Sequence, residues 1–106
     1  MLLTTQNNLE GYAVVETIGI VQGNTVRARN IGRDIVAGFK KLRGGEISEY
    51  TELLMEARRE ALARMEKEAT RLGADAIVAV RFETSDIMQA AAELYVYGTA
   101  VKLKQL

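Results

Sequence analysis

A chain of 106 residues with 48% apolar and 26% charged residues has the balance of one folded globular domain, with no room for separate catalytic and regulatory halves. Its 14 Lys and Arg equal its 14 Asp and Glu, so no global field draws in nucleic acid or an anionic membrane, and a charge-based partner must be read from a local patch. The absence of Cys and His excludes disulfides, thiolate nucleophiles, sulfur and imidazole metal ligands and the commonest general base, and with them most small-enzyme mechanisms.

Pro is also absent, so Gly and the Asn, Asp and Ser clusters punctuate the chain. The start, Met1-Leu2-Leu3 followed by Thr4-Thr5-Gln6-Asn7-Asn8, lacks the basic and then apolar pattern of a secretory signal. Asn7-Asn8 marks a turn, and the β-branched run from Tyr12 to Val21 predicts a long strand. Gln22-Gly23-Asn24 is expected to end or turn it, with Val26 to Arg29 as a second arm. Asn30 is placed to cap a short helix through Leu42, in which Ile31, Ile35, Phe39 and Leu42 recur at helical spacing. Gly44-Gly45 breaks the chain. Ser48 then caps a second, longer helix with Glu49 and Glu52 at its positive end. Tyr50, Leu54, Ala57, Ala61, Met65, Ala69 and Leu72 fall on one face of that helix, and Gly73 is its C′ residue. On its other side Glu60 with Arg64 and Glu68 with Arg71 form a solvated, charge-paired face.

Two further strands are predicted, Ala76 to Glu83 and Leu94 to Leu103, joined by Thr84-Ser85-Asp86 and a loop or helical turn through Ala92. The order of elements argues an α+β fold: a mainly antiparallel sheet with two helices inserted between strand pairs. No window approaches the roughly 20 apolar residues of a membrane span, since stretches such as Ala74 to Val80 are interrupted. A cytoplasmic location is expected.

All three long strands carry apolar residues in both registers: Val14, Ile18 and Ile20 against Ala13, Val15 and Val21; Ile77 and Ala79 against Val78, Val80 and Phe82; Leu94, Val96 and Ala100 against Tyr95, Tyr97, Val101 and Leu103. Both sheet faces therefore call for cover, one layer of helices shields only one of them, and another copy of the chain is the simplest cover for the second. A homo-oligomer is expected.

Arg27, Arg29 and Arg33, with Gly44 and Gly45, could form a small-anion site from guanidinium forks and free backbone N–H groups. The plainer reading pairs these arginines with acidic residues of a neighbouring copy and leaves Gly44-Gly45 as a turn. The diglycine matches neither a Walker loop nor a dinucleotide fingerprint. Metal ligands would have to be oxygens, as from Asp34, Glu46, Glu49 and Glu52, a set suited to hard cations but better explained as helix-dipole partners. A carboxylate-pair hydrolase with a site between copies is a weaker alternative, because no motif singles out two acids. Ser48 and Ser85 have capping and turn roles. Tyr12, Tyr50, Tyr95 and Tyr97 lack the basic interleaving of a nucleic-acid platform, and Tyr95 and Tyr97 are assigned to core or subunit interface. No catalytic residue, cofactor or metal ligand is identified; the expected partners are copies of the chain and a small anion.

Glu10-Gly11-Tyr12, Asn30-Ile31-Gly32-Arg33-Asp34, Gly44-Gly45, Tyr50, Glu56-Ala57-Arg58, Leu72-Gly73-Ala74-Asp75-Ala76-Ile77 and Tyr97-Gly98-Thr99-Ala100-Val101 together resemble the YbjQ-like family across nearly the whole chain. The resemblance implies a prokaryotic protein with a dodecin-like strand and helix arrangement, assembled as a ring, a pentamer, with extra short strands aiding assembly. Leu2 to Thr5 would be such a strand. The family is described as heavy-metal-binding, but with neither Cys nor His in the chain no soft-metal ligand carries over to any residue here. The resemblance leads one to expect Gly at the positions held by Ala79 and Ala90.

Overall fold

A computed structural model describes residues 1–27, 47–88 and 91–106 of the chain. The described elements are strands β1 (Leu2–Leu3) and β2 (Tyr12–Arg27), helix α1 (Ile47–Arg71), and strands β3 (Ala76–Met88) and β4 (Ala91–Gln105). They form one four-stranded sheet in the order β1-β3-β4-β2. Both long pairings, β2 with β4 and β3 with β4, are antiparallel, while β1 lies parallel to β3 through Leu2 opposite Ala76 and Leu3 opposite Ile77. The fold is thus α+β with a mixed, mainly antiparallel sheet. The expected helix from Asn30 to Leu42 lies outside the described residues.

The long helix follows its apolar stripe. Ala61, Met65 and Ala69 are buried against Val21, Ile77, Val80, Val96 and Ala100, and Ala57 is buried one turn earlier, where its carbonyl accepts from the Thr25 hydroxyl. Glu60 with Arg64 and Glu68 with Arg71 pair on the exposed side. Gly73 (φ +81°) ends the helix: its N–H donates to the Thr70 carbonyl and that of Ala74 to the Ala69 carbonyl, the two bonds of a Schellman cap. Leu72, expected on the stripe, falls one residue past the helix and is exposed. Ser48 does not precede the helix as a cap but is its second residue.

Gly23 is not a turn. It sits mid-way through β2, opposite Val96, because α1 crosses the strand there at close range. A methyl group on Gly23 would overlap the Ala61 carbonyl oxygen and stand 2.6 Å from the Met65 nitrogen. The strand therefore runs unbroken through Arg27, and the expected hairpin at residues 22–24 is absent. The link expected between the last two strands is likewise mostly strand, since β3 continues through Thr84–Ser85–Asp86 to Met88 and β4 begins at Ala91. Ser85 accordingly serves no turn; its hydroxyl faces Glu93 across the ladder.

Bulges explain why the strands read as apolar on both faces. Register shifts fall between Val14 and Glu16, between Thr17 and Gly19, and between Val78 and Arg81. Each extra residue moves the side chains that follow to the other face. In β3, Ala79 takes the left-handed conformation (φ +55°) at the bulge. Beyond it Val80 turns to the helix side, while Arg81, Glu83 and Ser85 are exposed on the other. The short β1 is part of this arrangement and pairs inside its own chain. Thr4 N–H donates to Ile77, Val80 N–H to Thr4 and Ala79 N–H to Gln6, so the N-terminal arm holds the bulge from outside.

The second face is therefore not uniformly apolar. At one end Ala76, Val78 and Val101 are buried under Leu9 and Leu103. Its middle and far end are polar and open among the described residues. Exposed apolar side chains include Val14 (40% exposed), Val15 (60%) and Ile20 (81%) on β2, with Phe82 on β3 and Met55 on α1.

Candidate functional site

Of the predicted anion set Arg27, Arg29, Arg33, Gly44 and Gly45, only Arg27 falls among the described residues. It is the last residue of β2, in register with Ala92 of β4. Of the four carboxylates weighed as hard-cation ligands, Asp34 and Glu46 lie outside the described residues, Glu49 belongs to the first turn of α1, and Glu52 is exposed on that helix. Among the described residues no three acidic side chains converge on a point where a metal ion could sit.

Two other arrangements are present. The first is an open hollow of about 490 Å³ where α1 meets the outer side of β2, lined by Ile20, Val21, Gln22, Arg64 and Glu68. The helical spacing that buries Ala61 and Met65 also brings Arg64 and Glu68 to this flank. Arg64 donates to the Asn24 carbonyl and to Glu60. Its guanidinium thus ties helix to strand, and its charge is already shared with a carboxylate. Glu68 accepts two bonds from Arg71, at 2.7 and 3.1 Å. Those bonds hold the Glu68 carboxyl below its usual range and the Arg71 guanidinium above its own. The hollow is consequently a salt-bridged surface feature with no free cation to hold an anion.

The second is a grid of side chains on the open face. Pairing across three strands sets Gln22, Tyr97 and Arg81 in one row and Asn24, Tyr95 and Glu83 in the next. Tyr95 and Tyr97 are half-buried and their rings stack, with centroids 6.0 Å apart. The expectation that they share a face holds, but that face is the open one and not the core. Asn24 donates to Glu93 at 3.1 Å, and the Ser85 hydroxyl lies 3.5 Å from the same carboxylate. Arg81 donates to the carbonyls of Thr5 and Val80, both at 2.8 Å.

The sequence reading missed Gln22, Asn24, Arg81, Glu83 and Glu93 as a group. Their alternation becomes visible only once the bulge at Ala79 is placed, and Ala at that position gives less sign of a left-handed residue than Gly would. The grid offers donors, acceptors and aromatic rings, the kinds of group that recognise a ligand.

Residues 1–104 match the YbjQ_1 family, whose description reads "Putative heavy-metal-binding". A UPF0145 protein of Methanoculleus marisnigri is 62% identical over 103 residues, covering 97% of this chain and 96% of that one. Another from Thermotoga maritima is 54% identical over 106 residues, the full length of both. Among solved structures, a DUF74-family protein of unknown function from Pediococcus pentosaceus superposes with a TM-score of 0.65 at 18% identity, covering 98% of each chain, and so shares the fold. With a family match that spans nearly every residue and relatives more than half identical along their whole length, the chain belongs to the YbjQ family.

Proposed function

We propose that this protein is a non-enzymatic homo-oligomer, a ring of five copies as in the assembly implied by the family resemblance, which holds a small anion near Arg27, Arg29, Arg33, Gly44 and Gly45. The observation that carries the oligomer is the state of β2. It is an edge strand of 16 residues, without a strand on its outer side among the described residues, and it exposes Val14, Val15 and Ile20. From Tyr12 to Val26 its only charged residue is Glu16. Monomeric proteins protect such edges with charges, Pro or a covering element, and an unprotected one recruits a partner. The bulges at Val15 and Ile18 bend the edge without covering it. Light scattering of dilute protein should return a multiple of 11.7 kDa. The mass of one protomer, with a cooperative melt, overturns this reading.

The anion follows from the density of guanidinium groups, three within seven residues, and from a diglycine further along the sequence, since glycine puts no side chain in the way of an anion at its backbone N–H. Phosphate should raise the melting temperature of the unmodified protein, and the double change Arg29→Ala and Arg33→Ala should abolish that rise. Lack of any rise in the unmodified protein removes the anion.

A second reading is favoured by the family's description, a metal-binding module. In this chain it would use oxygen donors, since there is no Cys or His. Such donors favour Mn²⁺ over soft metals. Titration of chelator-treated protein with Zn²⁺, Cu²⁺, Ni²⁺ and Mn²⁺ decides it: saturable, stoichiometric micromolar binding supports the metal module, and heats of dilution alone remove it.

A further inference from the structure

The open face of the sheet sets an aromatic pair beside uncompensated negative charge, and the geometry points to a docking site there for the arginine side chains of an extended segment of another polypeptide. This site is independent of the homo-oligomer and of the anion above, and either of those can fail without it. Its centre is Tyr95 on β4. Tyr97 lies two residues along the same strand, and its ring stacks on that of Tyr95 with centroids 6.0 Å apart. Two carboxylates border the Tyr95 position on other sides. Glu83 stands directly opposite it on β3, and Glu93 lies two residues along β4 in the direction away from Tyr97. Directly opposed positions on one face are about 5 Å apart and diagonal ones, such as Glu83 and Glu93, about 7–8 Å apart, so one small cation reaches both carboxyl groups and the ring.

Neither negative charge is spent within the chain. Glu83 is exposed and has no hydrogen-bond or ion-pair partner among the described residues. Arg81, two residues back on β3, commits its guanidinium to the Thr5 and Val80 carbonyls, both at 2.8 Å, and forms no ion pair with Glu83. Glu93 accepts from the Asn24 amide at 3.1 Å on one oxygen and from the Ser85 hydroxyl at 3.5 Å on the other. Both donors are neutral, so they fix the carboxylate in place without cancelling its charge.

A ring bordered by two acids selects among cations. A hard metal ion collects about six oxygen ligands, and a ring face supplies none. A quaternary ammonium cannot donate to the carboxylates, and a primary ammonium donates but has no flat face. A guanidinium has both: it lies flat on an aromatic ring while the N–H groups of its edges fork onto carboxylates on two sides. The face spans three strands, β2, β4 and β3, and is open, whereas free small ligands are held in concave sites that enclose most of their surface. An open site of this kind suits a side chain delivered by a polypeptide that gains its other contacts along the strands. The charge of Arg81 opposite Tyr97 repels a second cation there, so separated arginines among neutral residues fit the face better than an unbroken basic run.

The test is a titration at low ionic strength with a capped Gly-Ser peptide carrying three separated arginines, followed by nuclear magnetic resonance. The amide and ring resonances of Tyr95 and Tyr97 should shift saturably, and the lysine counterpart of equal charge should bind at least about threefold more weakly. Glu83→Gln and Glu93→Gln should each weaken the arginine peptide about fivefold. Glu56→Gln, at an exposed position of α1, removes the same charge elsewhere and should leave the affinity unchanged. Glu83 is exposed and unpaired, so its replacement by Gln leaves the fold intact, and the Glu83→Gln chain decides if Glu93→Gln melts early. The site is overturned by the absence of a saturable shift, by equal binding of the lysine peptide, or by an equal loss in Glu56→Gln, which makes the attraction a general one. Free arginine amide that matches the peptide's affinity overturns the polypeptide as the source of the guanidinium.

Discussion

Ala79 shows how one residue sets the chemistry of a whole face. Its left-handed backbone (φ +55°) creates the bulge, and the bulge decides that Arg81 and Glu83 look outward while Val80 is buried. A non-glycine residue held there costs about 1–2 kcal/mol. Ala79→Gly should therefore stabilise the protein by about 0.5–1 kcal/mol after the extra freedom of unfolded glycine is allowed for, as a shift to higher denaturant midpoint in urea unfolding. Gly23 makes the opposite case. Its missing Cβ is the space in which the backbone of α1 lies, and Gly23→Ala should cost about 3 kcal/mol because backbone atoms of Ala61 and Met65 would have to move. Met65 is wholly buried at the centre of the same contact. Met65→Ala should cost about 3 kcal/mol through the cavity it leaves, measured in the same way.

At the scale of elements, α1 was the most legible part of the sequence. Its stripe from Ala57 to Ala69, its two ion pairs and its glycine cap all follow from local periodicity, and local periodicity needs no knowledge of the rest of the fold. The Glu68–Arg71 pair also gives the helix a small acid response. Because Glu68 titrates below its ordinary value of 4.5, its contribution is present above that pH and is lost as the pH falls through the lowered value. Glu68→Gln should therefore melt slightly earlier than the unmodified protein at pH 7, with the gap closing as the pH falls below the ordinary value of 4.5 and through the lowered one, and shrinking in 1 M salt. The strands were legible as strands but not in their extent or facing. Gly23 read as a turn because close helix approach is a tertiary demand that leaves no local mark. Apolar residues in both registers read as two greasy faces because a bulge looks, in one dimension, like lost alternation.

For the whole molecule, the two-faced strands first suggested a sheet uncovered over its full second face. The structure divides that face into an apolar end sheltered by Leu9 and a polar, aromatic remainder, and leaves Val14, Val15 and Ile20 bare along the edge strand β2. The pull toward self-association therefore has a narrower origin than strand composition implies. The arginine-rich stretch beyond β2 was legible as a cluster of charge, but its chemistry depends on positions that sequence spacing cannot fix. The N-terminal arm stitches itself to the bulge through Thr4 and Gln6 and packs Leu3 against the core. Deleting residues 1–6 should lower the melting temperature by at least about 5 °C in a calorimetric scan.

The seating of the helix on bare strand backbone at Gly23 also governs how the molecule can breathe. With no side chain between them to act as a bearing, α1 and β2 cannot slide past one another without the Ala61 peptide colliding with the strand. Amide protons from Val21 to Thr25 and from Ala61 to Ala69 should then exchange with deuterated solvent together, at the slow pace of global opening. Faster local opening is left to the arm that precedes Tyr12, so a binding event that reshapes this protein has that segment to work with.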